Sequence, residues 1–260
     1  MVGRGFVLMK VFIGKYWKTI LFFVLVGLVG GWFSGLYALE SYSPEMRQEL
    51  AAQGLTDTMA ALATAVQSAG YGLVLGSLGI WLGKKAGLWK DERSITRIPL
   101  TAALIVGVVG GLALILPDLL VFGRFEPALL DMYAVKPTIP YLIATVTYGA
   151  VIEEVMLRLF LMSLVALVLH AIFERRREGV GTAVLVAANV VCALLFAAGH
   201  LPANDMMFGL TPVIVLRCML LNGIFGLAFG WLYRRYGLRY AMIAHGGCHV
   251  VSKLIWILFL

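Results

Sequence analysis

Seven long apolar stretches decide what this chain can fold into. They lie near residues 19–39, 59–82, 99–122, 139–172, 180–200, 211–232 and 239–259. A helix of about 20 residues spans about 30 Å, the thickness of the hydrocarbon core of a bilayer. The composition agrees, because 61% of the residues are hydrophobic and 13% are charged, whereas about a quarter of a soluble domain is charged. The sequence predicts an all-α, polytopic transmembrane helical bundle of about seven helices, forming a single membrane domain over 1–260.

Basic residues are distributed unevenly between the loops. Counting Lys and Arg, the N-terminal segment and the 83–98, 173–179 and 233–239 loops carry 15, whereas the loops of the opposite side carry 3. Such a bias marks the cytoplasmic side, so we expect a cytoplasmic N-terminus and an external C-terminus. We separately expect a location in a bacterial inner membrane. The charges behind the net +7 cluster in these short loops, which indicates lipid contact and argues against nucleic-acid binding.

Other features describe individual stretches. The first is longer than the roughly 7–15 apolar residues of a secretory signal, so we expect an uncleaved first helix. The polar loop 40–58 is long enough for a short surface helix. The fourth stretch is too long for an upright span and should tilt or project from the bilayer. Glycines at four-residue spacing, such as Gly27, Gly31 and Gly35, predict close packing of helices within the chain.

Three charged residues interrupt the fourth stretch, in Tyr148-Gly-Ala-Val-Ile-Glu153-Glu154-Val-Met-Leu-Arg158. Such residues cost about 2.5–3.5 kcal/mol each on insertion scales and mark functional sites by default. Glu154 and Arg158, four residues apart, share a helix face and can pair, which is also what a structural ion cluster would do. Glu153 lies about 100° around the helix and lacks this partner. Desolvation favours its neutral form, which makes Glu153 a candidate proton acceptor.

Three histidines lie in the later helices. His200 closes the fifth, just before Pro202, which should end that helix. His245 and His249 share one face of the seventh, at the spacing with which two imidazoles can hold one metal ion. With Glu153 these imidazoles form a hydrolytic set, in which zinc or another divalent metal would generate a bound hydroxide. A metal-free version is equally open: Glu153 activates water and the imidazoles stabilise an oxyanion.

The remaining polar residues of the apolar stretches are interpreted as structural. Cys192, Cys218 and Cys248 form an odd set at lipid depth, which does not indicate a disulfide framework. We interpret them as small packing residues, with Cys248 the only candidate nucleophile because it lies between two histidines. Pairing or snorkelling accounts for Arg217 and Lys253 better than catalysis does.

Three motifs, each on its own apolar helix, resemble those of the CPBP family of intramembrane glutamate- or metallo-type proteases (CAAX proteases and bacteriocin-processing enzymes, also called the ABI family). They are Glu153-Glu154-Val-Met-Leu-Arg158, Phe196-Ala-Ala-Gly-His200 and His245-Gly-Gly-Cys-His249. The family includes the type II CAAX prenyl endopeptidases. The resemblance covers about 140–255, so we divide the chain into CPBP-like catalytic helices, 139–260, and N-terminal helices of unassigned role, 1–138.

This resemblance implies an intramembrane endopeptidase that hydrolyses a peptide bond in a membrane-associated protein or peptide within the lipid bilayer. It implies that Glu153 is the water-activating base and that His200 and His245 are metal ligands or oxyanion stabilisers. Glu154 with Arg158 would hold the scaffold. The family usually has Asn or Asp where His249 stands, and because histidine is the better metal ligand this departure favours a metal.

Three other functions stay open. A transporter or proton relay would use the same buried carboxylates and imidazoles, although it predicts two related halves and the sequence has no internal repeat. A haem-binding electron carrier could use facing histidines as axial ligands. A non-catalytic membrane binding protein would keep the motifs without the chemistry.

The three motifs are expected at different depths in the membrane. Counted from the expected cytoplasmic ends, Glu153 and His200 lie about 30 Å along their helices and His245 only about 9 Å. They can meet only if the fourth and fifth helices project into the cytoplasm or the 233–239 turn lies deep within a cavity.

Overall fold

The computed structural model describes residues 2–91 and 94–260, without the side chains of residues 2–10. The chain is 85% helical and its described residues contain no strand, which confirms the predicted all-α class. The helices of this part are α1 Val2–Glu40, α2 Pro44–Ala52, α3 Asp57–Lys85, α4 Arg97–Leu120, α5 Ala128–Ala134, α6 Ile139–Phe173, α7 Thr182–Gly199, α8 Leu201–Phe208, α9 Pro212–Tyr236 and α10 Leu238–Phe259.

Seven segments of the described chain are long and apolar enough to cross a membrane, as predicted. Helices α1, α3, α4, α6, α9 and α10 each provide one segment, and α7 and α8 together provide the fifth. The fifth is interrupted: α7 ends at Gly199, and α8 starts directly after His200 with Pro202 in its first turn, where the missing N–H of proline is tolerated. Pro202 therefore ends one helix, as expected, but also begins another.

The N-terminal part differs from expectation in one boundary. Helix α1 begins at Val2 rather than near residue 19, because basic residues are good helix formers and let the helix continue beyond its apolar part. The expected surface helix in the 40–58 loop is α2, which Ser43 caps by accepting a hydrogen bond from the backbone of Met46. Arg93, one of the basic residues counted for orientation, lies outside the described residues, as do the side chains of Arg4 and Lys10.

Small residues bring the spans into contact. A methyl group placed on Gly27 of α1 would lie 2.6 Å from the carbonyl oxygen of Ser68 in α3, and one on Gly107 of α4 would lie 3.2 Å from Gly247 of α10. Neither position has room for a side chain. The glycine spacing therefore serves packing within the chain, as predicted.

Helix α6 is widened in its middle. The segments Thr145–Glu153 and Val155–Met162 have π-helical hydrogen bonding, and Glu154 lies between them. Such i→i+5 turns are rare and occur frequently at functional sites. Glu153 is therefore the last residue of one π-helical segment, and Glu154 lies between that segment and the next.

Helix α6 also extends past the turn that joins α9 to α10. The hydroxyl groups of Ser163 in α6 and Tyr233 in α9 are 3.1 Å apart, so these residues lie at one level. Helix α6 continues from Ser163 to Phe173, which is about 15 Å of helix, whereas α9 ends at Tyr236 and the chain turns at Gly237. The greater length of α6 at this end brings its middle level with the first turns of α10.

Candidate functional site

Glu154 is the most enclosed carboxylate of the site. Its side chain has 0% exposure, and its Oε1 lies 3.1 Å from Nη1 of Arg158 and 2.9 Å from Nδ1 of His245. The predicted pair with Arg158 is confirmed. The contact with His245 was not anticipated from the sequence, because it joins residues that are 91 positions apart.

Arg158 connects three helices around this pair. Its Nη2 donates a hydrogen bond of 3.3 Å to the carbonyl of Gly226 in α9. Its guanidinium carbon lies 4.4 Å from the ring centre of Phe196 in α7 and 5.5 Å from that of Phe229 in α9. A cation in this position is stabilised by the faces of the two rings as well as by the carboxylate. The side chain is 1% exposed, so Arg158 links α6, α7 and α9 inside the bundle.

His245 is fixed on several sides. Its ring stacks on Phe229, with centroids 4.6 Å apart and an interplanar angle of 19°, and the edge contact with Phe196 is 5.9 Å. A carboxylate accepts hydrogen bonds, so Nδ1 of His245 donates its proton to Glu154. Nε2 of His245 is therefore the ring nitrogen that can contact a bound molecule.

A cavity of about 380 Å³ lies next to this cluster. Four residues predicted for the site line it, namely Glu153, His200, His245 and His249. Residues that the sequence did not single out also contribute, among them Tyr148, Asn204 and Asn222. The two adjacent glutamates are thus separated: Glu153 lines the cavity, while Glu154 is sealed behind it.

Glu153 is the carboxylate that is available to a bound molecule. Among the described residues its side chain forms no hydrogen bond or ion pair, and the residue is only partly buried. It faces away from the Glu154–Arg158 pair, as the helical geometry predicted.

His200 presents one defined nitrogen to the cavity. Its Nδ1 lies 2.8 Å from the carbonyl oxygen of Phe196. A carbonyl can only accept, so Nδ1 carries the proton and Nε2 of the neutral ring has a free lone pair. The backbone carbonyl of His200 accepts a hydrogen bond from Asn204, which holds the start of α8.

His249 faces the same wall of α6 as His245. The two imidazole centroids are 5.0 Å apart. A methyl group placed on Gly149 would lie 3.3 Å from Nε2 of His249 and 4.0 Å from Nε2 of His245. The space above Gly149 is therefore shared by two imidazole nitrogens. Nδ1 of His249 is buried and has no hydrogen-bond partner within the described part of the chain.

These donors do not form a closed metal site in this conformation. No three His, Cys, Asp or Glu side chains of residues 2–91 and 94–260 are grouped closely enough to hold an ion. Two imidazole nitrogens converge above Gly149, but a third protein ligand does not join them. A metal with the usual three protein ligands would require a further movement of His200 or Glu153.

Two other residues of the apolar spans have structural partners. Arg217 of α9 binds Asp118 of α4 through Nε and Nη2, each 2.5 Å from a carboxylate oxygen, so the predicted pairing of Arg217 is confirmed. Asp118 was missed because a single aspartate near the end of an apolar stretch resembles an interfacial residue. Cys248 is 1% exposed and its thiol donates to the carbonyl of Val106 at 3.6 Å. With Cys192 and Cys218 it is a free, buried cysteine, as expected.

Comparison with known proteins gives one family. Residues 135–251 match the family model described as type II CAAX prenyl endopeptidase Rce1-like. No curated protein and no solved structure matches the chain. The matched range contains all six predicted site residues, and it confirms the resemblance to the CPBP family that the motifs predicted. Over residues 135–251 this integral membrane protein is therefore similar to the Rce1-like family, which supports a CAAX-type intramembrane protease in general.

Proposed function

We propose that this protein is an intramembrane endopeptidase in which Glu153 activates the water that cleaves a peptide bond of a membrane-associated protein or peptide. One observation carries the proposal. The only carboxylate of the first motif without a partner in the described structure shares a cavity with His200, His245 and His249. A cavity with an available base and several imidazoles can supply the proton transfers and the oxyanion stabilisation of peptide hydrolysis.

The proposed reaction needs two proton transfers and one stabilised oxyanion. Glu153 accepts a proton from a water molecule as the oxygen of that water attacks the carbonyl carbon of the scissile bond. The carbonyl oxygen becomes an oxyanion, which imidazole N–H groups stabilise. Glu153 then returns the proton to the leaving nitrogen as the C–N bond breaks, and it ends the cycle as a carboxylate.

The surrounding contacts assign different tasks to the imidazoles. Glu154 fixes the ring of His245 through Nδ1, and when the ring carries a second proton its Nε2–H can donate to the oxyanion. His200 has its proton on Nδ1, so its Nε2 accepts and can orient the water. Glu154 and Arg158 act by positioning and do not touch the substrate.

Zinc or another divalent metal is the alternative to a metal-free site. Histidine at position 249 favours it, because Nε2 of His249 and Nε2 of His245 face the same space. His200 and Glu153 would complete the ligand set, and the ion would supply Lewis acidity and a water of lowered pKa. These residues would first have to come closer together than they are here.

The cellular setting belongs to the same proposal. The distribution of Lys and Arg supports a cytoplasmic N-terminus, and we propose a bacterial inner membrane as the location. The N-terminal helices of 1–138 take part in the cavity through Ser34, Tyr37 and Leu114, so they help to shape the substrate site.

Cleavage by purified protein tests the proposal. The protein is reconstituted in lipid nanodiscs and incubated with fluorogenic peptides that carry a farnesyl or acyl anchor, with and without a chelator. We expect cleavage of a subset of the peptides. Activity that survives chelation supports the metal-free site, and activity that is lost and then restored by zinc supports the metal site. Proton-coupled uptake by sealed proteoliposomes, without cleavage in either preparation, would instead favour a transporter.

A further inference from the structure

A second cavity, of about 240 Å³, lies at the basic side of the bundle, between the beginning of α1, the segment that follows α3 and the beginning of α10. Its walls include Lys15, Phe22, Trp89, Lys90, Arg239 and Met242. It shares no lining residue with the cavity that holds Glu153. The proposed reaction therefore does not account for this second cavity.

The charges that line the second cavity do not cancel. Its one carboxylate, Asp91, accepts a hydrogen bond of 2.8 Å from Lys15. Lys90 and Arg239 form no ion pair within residues 2–91 and 94–260, and Arg239 donates a hydrogen bond of 3.0 Å to the neutral carbonyl of Ser94. Three positive charges and one negative charge leave the described lining with a net charge of +2. Such a cavity favours an anion.

The two cations without an ion pair lie on the same corner of the fold. The chain turns at Gly237, where φ is +107°, and a methyl group placed there would lie 3.2 Å from Cγ of Lys90. The stem of Lys90 therefore packs against the turn, two residues before Arg239. The first turn of α10 adds the partial positive charge of a helix N-terminus.

An apolar path leads from the second cavity along α1. Phe22 lines the cavity and is 48% exposed. Leu25 and Val29, which follow it at helical spacing, are also exposed, and all three belong to the first membrane span. The cavity therefore joins a cationic end to an apolar surface that faces lipid, whereas a soluble anion would use only the cationic end.

Tryptophan and lysine side chains near the second cavity mark its depth. Trp17 of α1 is exposed, and Nζ of Lys18 lies 5.5 Å from its ring centre. Trp81 of α3 is exposed as well, with Nζ of Lys85 at 3.8 Å from its ring centre. Tryptophan collects at the membrane–water interface, and lysine extends its ammonium group to that level. The second cavity is therefore at the depth of lipid headgroups.

We propose that the second cavity binds the headgroup phosphate of an anionic phospholipid, with Lys90 and Arg239 as the phosphate-binding residues. Basic pockets between membrane helices bind such headgroups. A zwitterionic headgroup would bring its own cation against the same two side chains. The volume is below the roughly 300–1,000 Å³ of sites that enclose a whole small molecule, so the headgroup enters and the acyl chains lie along Phe22 and Leu25. The inference does not depend on the proposed protease function.

Retention of lipids by purified protein tests the inference. Protein in detergent is incubated with equal amounts of phosphatidylglycerol and phosphatidylcholine that carry the same acyl chains, and bound lipids are counted by native mass spectrometry. Parent protein is compared with Lys90→Gln/Arg239→Gln. The matched control is Arg175→Gln/Arg176→Gln, which removes two positive charges from the exposed 173–179 loop, on the same basic side but outside the cavity.

We expect parent protein to retain phosphatidylglycerol about tenfold or more over phosphatidylcholine. One basic group near an anionic lipid strengthens binding about fivefold, so Lys90→Gln/Arg239→Gln should lose most of this preference. Arg175→Gln/Arg176→Gln should keep it, and Arg239→Lys, which retains the charge, should keep a large part. Equal retention of the two lipids by the parent, an unchanged preference in Lys90→Gln/Arg239→Gln, or an equal loss in the control would overturn the inference.

A competitor separates a lipid from a soluble phosphate. Glycerol 3-phosphate has the phosphate of the headgroup without the acyl chains. In large excess it should leave phosphatidylglycerol bound to the parent, because the acyl chains hold the lipid on α1. Displacement of the lipid would assign the cavity to a soluble phosphate and would overturn the inference.

A single variant keeps the test decisive if the double variant does not fold. Nζ of Lys90 forms no hydrogen bond in the described structure, so Lys90→Gln removes a charge without breaking a contact. We expect it to reduce the preference for phosphatidylglycerol about fivefold. A folded Lys90→Gln protein with the preference of the parent would overturn the role of Lys90 and with it the inference.

Discussion

Nδ1 of His245 lies 2.9 Å from Oε1 of Glu154, and this contact joins the two motif helices α6 and α10. The same oxygen lies 3.1 Å from Arg158. The neighbouring Glu153 points into the cavity instead. We therefore propose separate tasks for the adjacent glutamates: Glu154 holds the imidazole and the fold, and Glu153 reacts.

The buried pair should be needed for stability. In Glu154→Gln the guanidinium of Arg158 loses its counter-ion while both side chains remain enclosed, which costs about 3–5 kcal/mol for a buried pair broken on one side. We expect a lower thermal unfolding temperature in detergent. Glu153→Gln is the matched variant, since it changes the adjacent carboxylate, and it should unfold near the temperature of the parent. Equal destabilisation by the two substitutions would contradict the separation of roles.

The space above Gly149 should be needed for activity. A methyl group there would lie 3.3 Å from Nε2 of His249, so Gly149→Ala fills the place that two imidazoles face. We expect turnover to fall about 10–100-fold, the scale of a misplaced catalytic group, with little loss of folded protein. Gly199→Ala is the control, because a methyl group on Gly199 meets no atom within 4 Å. Full activity of Gly149→Ala would place the reaction elsewhere.

The sequence predicted much of this arrangement, for identifiable reasons. The lengths of the apolar stretches predicted the seven spans, and the four-residue spacing of Glu154 and Arg158 predicted their pairing. Both predictions depend only on local helix geometry. The bond from Glu154 to His245 and the bond from Asp118 to Arg217 could not be predicted, since they depend on how distant helices pack. The π-helical turns of α6 were also missed, because they have no local sequence signal.

The second buried ion pair should behave as a unit. Asp118→Asn leaves Arg217 charged without its bidentate partner and should cost about 3–5 kcal/mol. Asp118→Asn with Arg217→Met removes both charges, so it should recover a large part of that loss. Thermal unfolding of the two single variants and the double variant measures the coupling. Additive losses in the double variant would show that Asp118 and Arg217 do not depend on each other.

A contact outside the spans should respond to acid. Asp91 accepts hydrogen bonds from Lys15 at 2.8 Å, Trp89 at 2.8 Å and Tyr16 at 2.9 Å. The bond from Lys15 is the main cause that lowers the pKa of Asp91 from 3.8 to about 2. A lowered folded-state pKa stabilises the fold above the unfolded value, so this contribution is complete above about pH 4 and is lost as the pH falls towards 2.

The acid response can be measured by unfolding at several pH values. Because the side chain of Asp91 is 48% exposed, we expect only a small slope. Asp91→Asn should remove that slope between pH 4 and 2, and the neutral exchange Lys15→Gln should reduce it. A slope that is unchanged in Asp91→Asn would assign the acid sensitivity to other carboxylates.

The most direct measurement is single-turnover cleavage of an anchored fluorogenic peptide by parent protein and Glu153→Gln, with folding of each checked by thermal unfolding. If Glu153 is the base, the glutamine variant stays folded and its cleavage rate falls by about 10²–10⁴-fold, because an amide cannot take the proton of water. Cleavage by Glu153→Gln at the rate of the parent would contradict this role of Glu153.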